Sequence, residues 1–339
     1  MSSKIDMVAG DYPVFVLGSN GFSGSSFVKS LIEQGINVRG YSRSPQPDHR
    51  FLPYSWITNK GNFEFVQLDL NRQLDYLLRD IVKFRPRVIA NFAAQSMVGE
   101  SWNTPEDWMQ TNVVATASMV KAFASFDFLE KYIHFTTPEV YGSTNDWIPE
   151  SFDFYPSTPY ALSRATGDWL VRLWVENFDL PAVFTRAANI YGEGQQLYRI
   201  IPKTILFGMT NRKIPLHGGG CSIRSFVHMD DVSSALIKII EKGEIGATYH
   251  ISPNDSISIF DLVSKIGHLI DIDPKNLYTI ADDRIGKDQA YLLDSKFIQN
   301  TLEWAPKISL ETGLKRCIGW VKGNLDYLST LDTIYSHKL

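Results

Sequence analysis

The sequence predicts an α/β protein with a doubly wound parallel sheet and a smaller α/β lobe towards its carboxyl end. Short β-branched runs alternate with helical patterns in the first half, which is typical of right-handed βαβ units. Beyond Asn189, proline and glycine become frequent and long helical runs thin out. A chain of 339 residues is long enough for two closely packed lobes.

The elements of the first half follow from these periodicities. Six strands are expected, at residues 14–17, 37–41, 63–68, 87–91, 131–136 and 182–185. Four helical stretches are expected, at residues 25–34, 73–84, 106–123 and 160–177. In a doubly wound sheet of this kind, ligands bind at the carboxyl ends of the strands.

The composition excludes several classes of protein. A formal net charge of −4 without basic clusters gives no electrostatic reason to expect a nucleic-acid or membrane partner. Two cysteines outside a Cys-x-x-Cys pair and scattered histidines predict neither a disulfide scaffold nor a metal site. Residues 1–12 lack the apolar core of a secretory signal, and no run of about 18 apolar residues could span a bilayer. We therefore expect a cytoplasmic enzyme.

A glycine-rich segment, GSNGFSG at residues 18–24, follows the first strand and opens the first helix. Glycine lets the backbone approach a pyrophosphate, while the helix amino terminus supplies amide donors and positive potential. Three glycines in seven residues also occur in ordinary turns, but the strand–turn–helix context favours a Rossmann-type dinucleotide site. Residues 1–188, with about 225–252, are expected to form this domain, and residues 189–224 and 253–339 the substrate lobe.

The residues after the second strand bear on which dinucleotide binds. An acidic residue usually holds the adenosine ribose here in NAD sites, but none occurs before Asp48. Ser42 and Arg43 are instead suited to a 2′-phosphate, so NADP is predicted and NAD is the alternative. Asp69 closes the third strand near the expected adenine site, and small residues close the fourth in NFAA at 91–94.

Polar side chains at two places on the same sheet edge indicate a catalytic site. Tyr160 and Arg164 are spaced to share one face of a helix, and a fixed cation stabilises a phenolate. Glu139 lies just past the fifth predicted strand, in TTPEVYG at 136–142. Each feature alone also fits an ordinary surface, whereas two on one edge favour a site.

In these motifs the sequence resembles the extended short-chain dehydrogenases, and within them the nucleotide-sugar 4,6-dehydratases. The resemblance spans nearly the whole chain and keeps the motifs in order: the glycine loop, NFAA, TTPEVYG, TPY at 158–160, RAANIYG at 186–192, RSFVHMDD at 224–231 and DRIG at 283–286. It implies an internal redox cycle in which Tyr160 takes the sugar O4 proton, Thr137 binds that oxygen and Glu139 takes the C5 proton. Water then leaves from C6, and hydride stored on the cofactor returns there.

The resemblance also implies the binding residues. The expected cofactor contacts are Gly18, Asn20, Gly21, Phe22, Gly24, Ser42, Arg43, Asp69, Leu70, Ala93, Ala94, Asn112, Tyr160 and Arg164. The expected contacts to a nucleotide-diphosphate sugar are Gln95, Ser96, Asn189, Arg199, Arg224 and Arg284.

Two positions depart from the family pattern. Arg164 stands where the family has lysine, and its planar fork differs from a point donor although the positive charge is kept. Pro138 stands where glucose-type dehydratases carry the aspartate that protonates the departing hydroxyl. Mannose-type dehydratases also lack that aspartate, and Gln95-Ser96 resembles their sequence.

Three functions therefore stay open. The first is a 4,6-dehydratase, which Glu139 favours. The second is an epimerase, decarboxylase or 4-dehydrogenase on the same scaffold, and the third is a cofactor-binding protein without turnover. We also expect a homodimer, because the helices at 106–123 and 160–177 are apolar beyond one face, through Trp108, Met109, Met119, Trp169, Leu170, Leu173 and Trp174.

Overall fold

A computed structural model describes Met7 and residues 10–58, 61–283 and 288–337 of the chain. The strands are β1 Val14–Leu17, β2 Val38–Ser42, β3 Phe63–Gln67, β4 Val88–Asn91, β5 Lys131–Thr136, β6 Trp147–Ile148, β7 Ala182–Ala187, β8 Asn189–Tyr191, β9 Ile214–His217, β10 Ile223–Arg224, β11 Phe226–His228, β12 Thr248–Ile251, β13 Ile257–Ser258, β14 Tyr278–Ala281 and β15 Leu292–Leu293. The helices are α1 Phe22–Glu33, α2 Leu74–Phe84, α3 Pro105–Met109, α4 Ala115–Phe123, α5 Pro159–Phe178, α6 Ile200–Met209, α7 Met229–Lys242, α8 Ile259–Leu269, α9 Lys296–Leu302, α10 Leu310–Gly323 and α11 Leu325–Leu328.

Seven parallel strands form the central sheet in the order β12-β7-β5-β4-β1-β2-β3. The strand order reverses between β1 and β4, where Leu17 lies level with Asn91. The loops after both strands therefore open at one switch point, which is the ligand position in doubly wound sheets. The predicted fold class is confirmed.

Alternate residues of β1 serve the two hydrophobic cores on either side of the sheet. Val14 and Val16 pack into the core that contains α1 and α7. Phe15 and Leu17 pack into the other core, together with residues of α2 and α4. All four side chains are fully buried, as expected for a parallel strand covered on both faces.

The predicted elements of the first half agree with the observed ones to within one to three residues at each end. The largest difference in a strand is at β7, which continues to Ala187 because its last residues pair with β12. The helix expected at 106–123 is interrupted by a π-turn at Gln110–Val114, between α3 and α4. Such a turn frequently marks a functional site.

The expectation that long helical runs thin out beyond Asn189 is wrong. Four helices of ten or more residues lie there, namely α6, α7, α8 and α10. Pro202 does not interrupt α6, because it occupies the first turn, where the missing amide has no intrahelical partner. The second lobe has its own core, to which α6, α8 and α10 contribute Ile205, Leu262 and Leu314.

The structure also corrects part of the apolar surface expected on the two long helices. Trp108 and Met119 are buried within the chain, at 0% and 1% exposure. Trp108 stacks on the His337 ring at a centroid distance of 4.9 Å. Trp169 and Leu173 remain on the surface, at 47% and 46% exposure. No helix among the described residues is long and apolar enough to cross a membrane.

Candidate active site

A cleft of about 1080 Å³ opens at the carboxyl edge of the sheet, between the sheet and the second lobe. This volume is at the upper end for ligand sites and suits a dinucleotide with a second ligand. The predicted site residues that line it are Gly18, Asn20, Gly21, Phe22, Gly24, Ser42, Arg43, Asp69, Leu70, Ala93, Ala94, Gln95, Ser96, Thr137, Glu139, Tyr160, Arg164, Asn189, Arg199 and Arg224. Arg284 lies outside the described residues.

The glycine loop holds the backbone of β1 against the start of α1. Gly18 has φ +82°, and a Cβ atom there would lie 2.7 Å from the Ala93 nitrogen. A Cβ atom on Gly24 would lie 2.2 Å from the Gly18 carbonyl oxygen. Helix α1 begins with neither a capping side chain nor an acid in its first turn. Its first amides are therefore available to a pyrophosphate at the cleft.

The end of β2 is organised around Asn20. The Asn20 backbone N–H donates to Ser42 Oγ at 2.9 Å, which leaves the serine hydroxyl hydrogen for another acceptor. The Tyr54 hydroxyl donates to Asn20 Oδ1 at 3.2 Å. Asp48, the first acid after β2, accepts from Arg50 at 3.0 Å and does not line the cleft. Ser42, the last residue of β2, and Arg43, the next residue, thus present no carboxylate to the cleft.

Tyr160 lies at the start of α5, where the sequence fixes the beginning of the helix. Thr158 caps the helix by accepting from the Ala161 amide at 3.1 Å, and Pro159 occupies the first helical position. The Tyr160 side chain is 8% exposed, and the Thr137 hydroxyl is near enough to lower its pKa. The Glu139 backbone amide donates to Thr137 Oγ1 at 3.3 Å. Thr137 therefore lies between Tyr160 and the turn that contains Glu139, which it contacts through the backbone and not through the carboxyl group.

The pKa of Tyr160 is raised, chiefly by burial and then by the charge of Glu139. The positive charge of Arg164 and the nearby Thr137 hydroxyl lower this pKa, but they do not outweigh burial and Glu139. Arg164 therefore lowers the pKa of Tyr160, as expected, but by too little to bring it below the ordinary value in the protein alone.

Arg164 is buried beside the cleft with an incomplete set of partners. One guanidinium nitrogen donates to the Phe135 carbonyl oxygen. Its Nε is buried and makes no hydrogen bond with the described residues, and the same is true of Glu139 Oε2. Buried polar atoms are nearly always paired. Two such atoms in one cleft, beside the glycine loop, fit a site completed by a cofactor and a substrate.

Glu139 lies in the tight turn Pro138–Tyr141 after β5. Burial raises its pKa to about 7, and the nearby carboxyl group of Asp288 acts in the same direction. Arg224, Arg199 and the Tyr291 hydroxyl act against this rise. A carboxyl group with a pKa near neutrality suits a general base.

Two arginines and an asparagine, Arg199, Arg224 and Asn189, line the cleft beyond β7. Arg224 donates to the carbonyl oxygens of Asp288, at 2.7 Å, and Gln289, at 3.0 Å, and stacks over Tyr291. The Tyr291 hydroxyl donates to Asn189 Oδ1 at 2.9 Å. Arg224 therefore braces the loop that contains Asp288 while it contributes positive charge to the cleft.

Asn112 is the one described site prediction that does not line the cleft. It lies in the π-turn, where its Oδ1 accepts from the Gln95 amide at 3.0 Å and its Nδ2 donates to the Gln95 carbonyl at 3.0 Å. A further bond of 2.9 Å runs to Ser163 Oγ on α5. Asn112 thus supports the wall of the site from behind, because the π-turn directs its side chain inward.

A buried ion cluster anchors α5 behind Tyr160. Asp168, two turns along the helix, accepts from Arg186 at 2.8 Å and contacts His134 at 3.1 Å. Arg186 and Asp168 are fully buried. Burial alone would raise the pKa of Asp168, but the arginine and histidine lower it to about 2. This cluster holds α5 against β5 and β7 and thereby fixes where Tyr160 lies.

Comparison with known proteins agrees with this geometry. The sequence model described as GDP-mannose 4,6 dehydratase matches residues 15–317. The chain belongs to this family. The dTDP-D-glucose 4,6-dehydratase of Bos taurus is 32% identical over 319 residues, which cover 92% of this chain and 89% of that protein. The dTDP-glucose 4,6-dehydratase of Mycobacterium tuberculosis is 29% identical over 324 residues, which cover 92% of this chain and 93% of that protein.

The dehydratase family is also evident in a solved structure. The crystal structure of DesIV, a dTDP-glucose 4,6-dehydratase from Streptomyces venezuelae with NAD bound, superposes with a TM-score of 0.85. It is 26% identical and covers 93% of this chain and 98% of its own. The family model and this structure both relate the chain to nucleotide-sugar dehydratases of the extended short-chain dehydrogenase group.

Several residues that line the cleft are not among those predicted from the sequence. Asp288 and Tyr291 follow the DRIG motif by only a few positions, so extending that motif would have found them. Five residues of the segment 331–336 also line the cleft, and this segment lies beyond the family match. Tyr335 packs edge-on against Tyr198 at 5.3 Å. No local pattern in the sequence signals this contact.

Proposed function

We propose that this protein is a nucleotide-sugar 4,6-dehydratase that keeps its nicotinamide cofactor bound through the cycle. The observation that carries the proposal is that Tyr160, Thr137 and Glu139 line one cleft, with Glu139 near enough for its charge to raise the pKa of Tyr160. Glu139 has a pKa near 7 and one buried oxygen without a partner among the described residues. An epimerase or a 4-dehydrogenase needs no second base, so this buried carboxyl group favours elimination over those alternatives.

The proton transfers follow from this arrangement. A nicotinamide dinucleotide held by the glycine loop, Ser42 and Arg43 would supply the hydride chemistry, with sugar C4 oxidised first and C6 reduced last. Tyr160 takes the O4 proton, and Thr137 holds that oxygen in place. A ketone at C4 acidifies the C5 hydrogen, which Glu139 takes while the C6–O bond breaks. Glu139 then returns a proton to C5, so that the net change in the sugar is the loss of one water.

We assign NADP as the preferred dinucleotide, with NAD as the alternative. Among the described residues between β2 and β3, no carboxylate lines the cleft. This supports the assignment, since an NAD site uses a carboxylate there to bind the ribose hydroxyls. Ser42 Oγ keeps a hydrogen to donate, and Arg43 lines the cleft beside it. The DesIV structure contains NAD, so the assignment depends on this chain's own residues.

On the substrate side we place Asn189, Arg199 and Arg224 near the diphosphate, with Gln95 and Ser96 near the sugar. All five residues line the cleft, and the two arginines bring positive charge to it, which supports this placement. The division into a dinucleotide domain and a substrate lobe at Asn189 stays a prediction, as does a cytoplasmic location.

A homodimer is supported by the exposed apolar surface that remains on two adjacent helices. On α5, Leu162, Trp169 and Leu173 are 46% to 47% exposed. Val114, in the π-turn beside α5, is 49% exposed. Large apolar side chains clustered on one face typically mark an interaction surface, and we assign this face to a second copy of the chain.

The decisive experiment incubates the purified protein with dTDP-glucose, UDP-glucose and GDP-mannose, each with NADP or NAD, and analyses products by mass spectrometry. A 4-keto-6-deoxy sugar is expected from at least one of them. Tyr160→Phe should abolish it, because the variant has no group to take the O4 proton. An isomer or an unreduced ketone as product would instead establish the epimerase or dehydrogenase alternative. A protein that binds cofactor and converts none of the three would be a relative without turnover.

A further inference from the structure

The elimination step requires an acid as well as a base. The hydroxyl group that leaves C6 must take up a proton, since hydroxide is a poor leaving group. The residue beside the catalytic glutamate is Pro138, which has no proton to give. Glu139 and Tyr160 are already occupied as bases at C5 and O4. Another proton donor must therefore reach this part of the cleft.

Among the neighbouring charged groups, the Asp288 carboxyl group has the largest effect on the pKa of Glu139, which it raises. It lines the same cleft and is 8% exposed. The two groups come from separate segments of the chain, one from the turn after β5 and the other from the loop before β15. The fold therefore creates a carboxyl pair that the sequence around Glu139 does not contain.

Hydrogen bonds attach Asp288 to both catalytic elements. Its Oδ1 accepts from Ser157 Oγ at 3.0 Å and from Ser143 Oγ at 3.3 Å. Ser157 is three residues before Tyr160, and Ser143 is four residues after Glu139. Its carbonyl oxygen accepts from Arg224 at 2.7 Å. Both hydroxyl bonds reach Oδ1, so Oδ2 is the oxygen we assign to carry a proton.

We propose that protonated Asp288 is the general acid that protonates the C6 hydroxyl group as it leaves, an inference that rests on the proposed dehydratase function. The C5–H pair becomes the C5=C6 bond, the C6–O bond breaks, and the oxygen takes the Asp288 proton and departs as water. The proton that Tyr160 removed from O4 balances the one that Asp288 gives. The cycle therefore needs no further acid or reductant.

The pair can hold one shared proton. In the free protein this proton is on Glu139, because the charge of Asp288 raises the pKa of Glu139, and it must pass to Asp288 before Glu139 acts as the base. Burial raises the pKa of Asp288, although the two serine hydroxyls and Arg224 oppose the rise. Neighbouring carboxyl groups in a buried site do not readily ionise together, so one keeps its proton when the other is the base. Tyr291 is a poorer acid, because burial raises its pKa and its hydroxyl hydrogen is used by Asn189.

The test uses Asp288→Asn, whose carbonyl oxygen still accepts both serine bonds but whose side chain is no longer an acid. With the sugar nucleotide that the wild-type enzyme converts, we expect C4 oxidation and deuterium exchange at C5 to continue. Loss of water should slow by about 10²–10⁴-fold, the usual contribution of a positioned acid. Ser157→Ala is the matched control, because it removes one bond to Asp288 and keeps the carboxyl group.

A substrate with a better leaving group separates acid catalysis from a structural role. Fluoride needs far less protonation to leave than hydroxide does. The 6-deoxy-6-fluoro analogue of the same sugar nucleotide should therefore be processed by Asp288→Asn within about tenfold of the wild-type rate. A variant that has merely lost its fold would lose both substrates equally.

Two results would overturn the inference and leave the proposed function standing. One is that Asp288→Asn dehydrates the natural substrate at the wild-type rate. The other is that C5 exchange, elimination of water and elimination of fluoride all slow by the same factor in this variant. A wild-type protein that neither oxidises C4 nor exchanges C5 with any of the three sugar nucleotides would instead overturn the proposed function itself.

Discussion

Replacing Glu139 by glutamine separates the two chemical steps that the cleft is proposed to perform. The substitution keeps the size of the side chain and removes its basicity. Tyr160 and Thr137 are left in place, so C4 oxidation and the accompanying reduced-nicotinamide absorbance should persist. Proton removal at C5 should fall by about 10²–10⁴-fold, the usual contribution of a general base. Deuterium uptake at C5 from heavy water, followed by mass spectrometry, measures that step directly.

The pKa of Glu139 sets the pH dependence of the wild-type enzyme. With a value of about 7 in the free protein, roughly a tenth of the base is ionised one pH unit lower. Exchange at C5 should therefore rise between about pH 6 and pH 8. The glutamine variant should show a flat profile over that interval, because it has no carboxyl group to titrate.

The same shift predicts a change in stability. The pKa of Glu139 is higher in the folded protein than in the unfolded chain, so its contribution is fully present below about pH 4.3 and is lost as the pH rises to about 7. Glu139→Gln should thus be more stable than wild type above pH 7, by on the order of 2 kcal/mol after allowance for partial solvent contact. The advantage should vanish at pH 4. Thermal melts across this range measure it.

Glu193 provides a matched control of the opposite sign. It contacts His228 at 3.0 Å and Arg316 at 2.7 Å, and although burial opposes them these partners lower its pKa to about 2. Its contribution is present above about pH 4.3 and lost as the pH falls towards 2. Glu193→Gln should therefore destabilise the protein at neutral pH. Two results would refute the reasoning. One is deuterium exchange at C5 by Glu139→Gln at the wild-type rate, and the other is the same dependence of stability on pH for Glu139→Gln and Glu193→Gln.

Other positions give separate tests. Arg43→Ala should weaken NADP binding selectively, by about 1.5–3 kcal/mol in a titration; an equal loss of NAD binding would show that no 2′-phosphate is recognised. Arg164→Lys should keep activity within about tenfold because a cation remains, whereas Arg164→Met should lose far more; a fully active methionine variant would make this arginine a bystander. Leu173→Glu should reduce the mass measured by light scattering to that of a monomer, and a wild-type monomer at micromolar concentration would contradict the assigned face. Tyr335→Ala should speed cofactor release in stopped-flow measurements, because its ring lines the cleft and packs against Tyr198 there; unchanged release would show that Tyr335 does not restrain the cofactor.

Much of this protein follows from the sequence because the signals are local. The glycine loop, the β-branched runs and the Thr158-Pro159 helix start each depend on a few neighbouring residues, so the sheet and the positions of Tyr160 and Glu139 were predictable. The chemistry that depends on distant segments was not. Whether a carboxyl group is buried, and with what beside it, depends on residues such as Asp288 that packing brings from a separate loop.

The misjudged features differ in origin. The helices beyond Asn189 had local signals that the frequent prolines and glycines obscured, because Ser258 and Ser309 cap α8 and α10 by accepting from the Asp261 and Thr312 amides. Trp108 reads as a surface residue until the carboxyl-terminal segment covers it with His337. The pKa of Tyr160 follows from burial and from Glu139 as well as from the arginine one turn away. The sequence by itself therefore determined the elements and the reactive groups, and only the tertiary structure decided their neighbours, because burial and charge act through space.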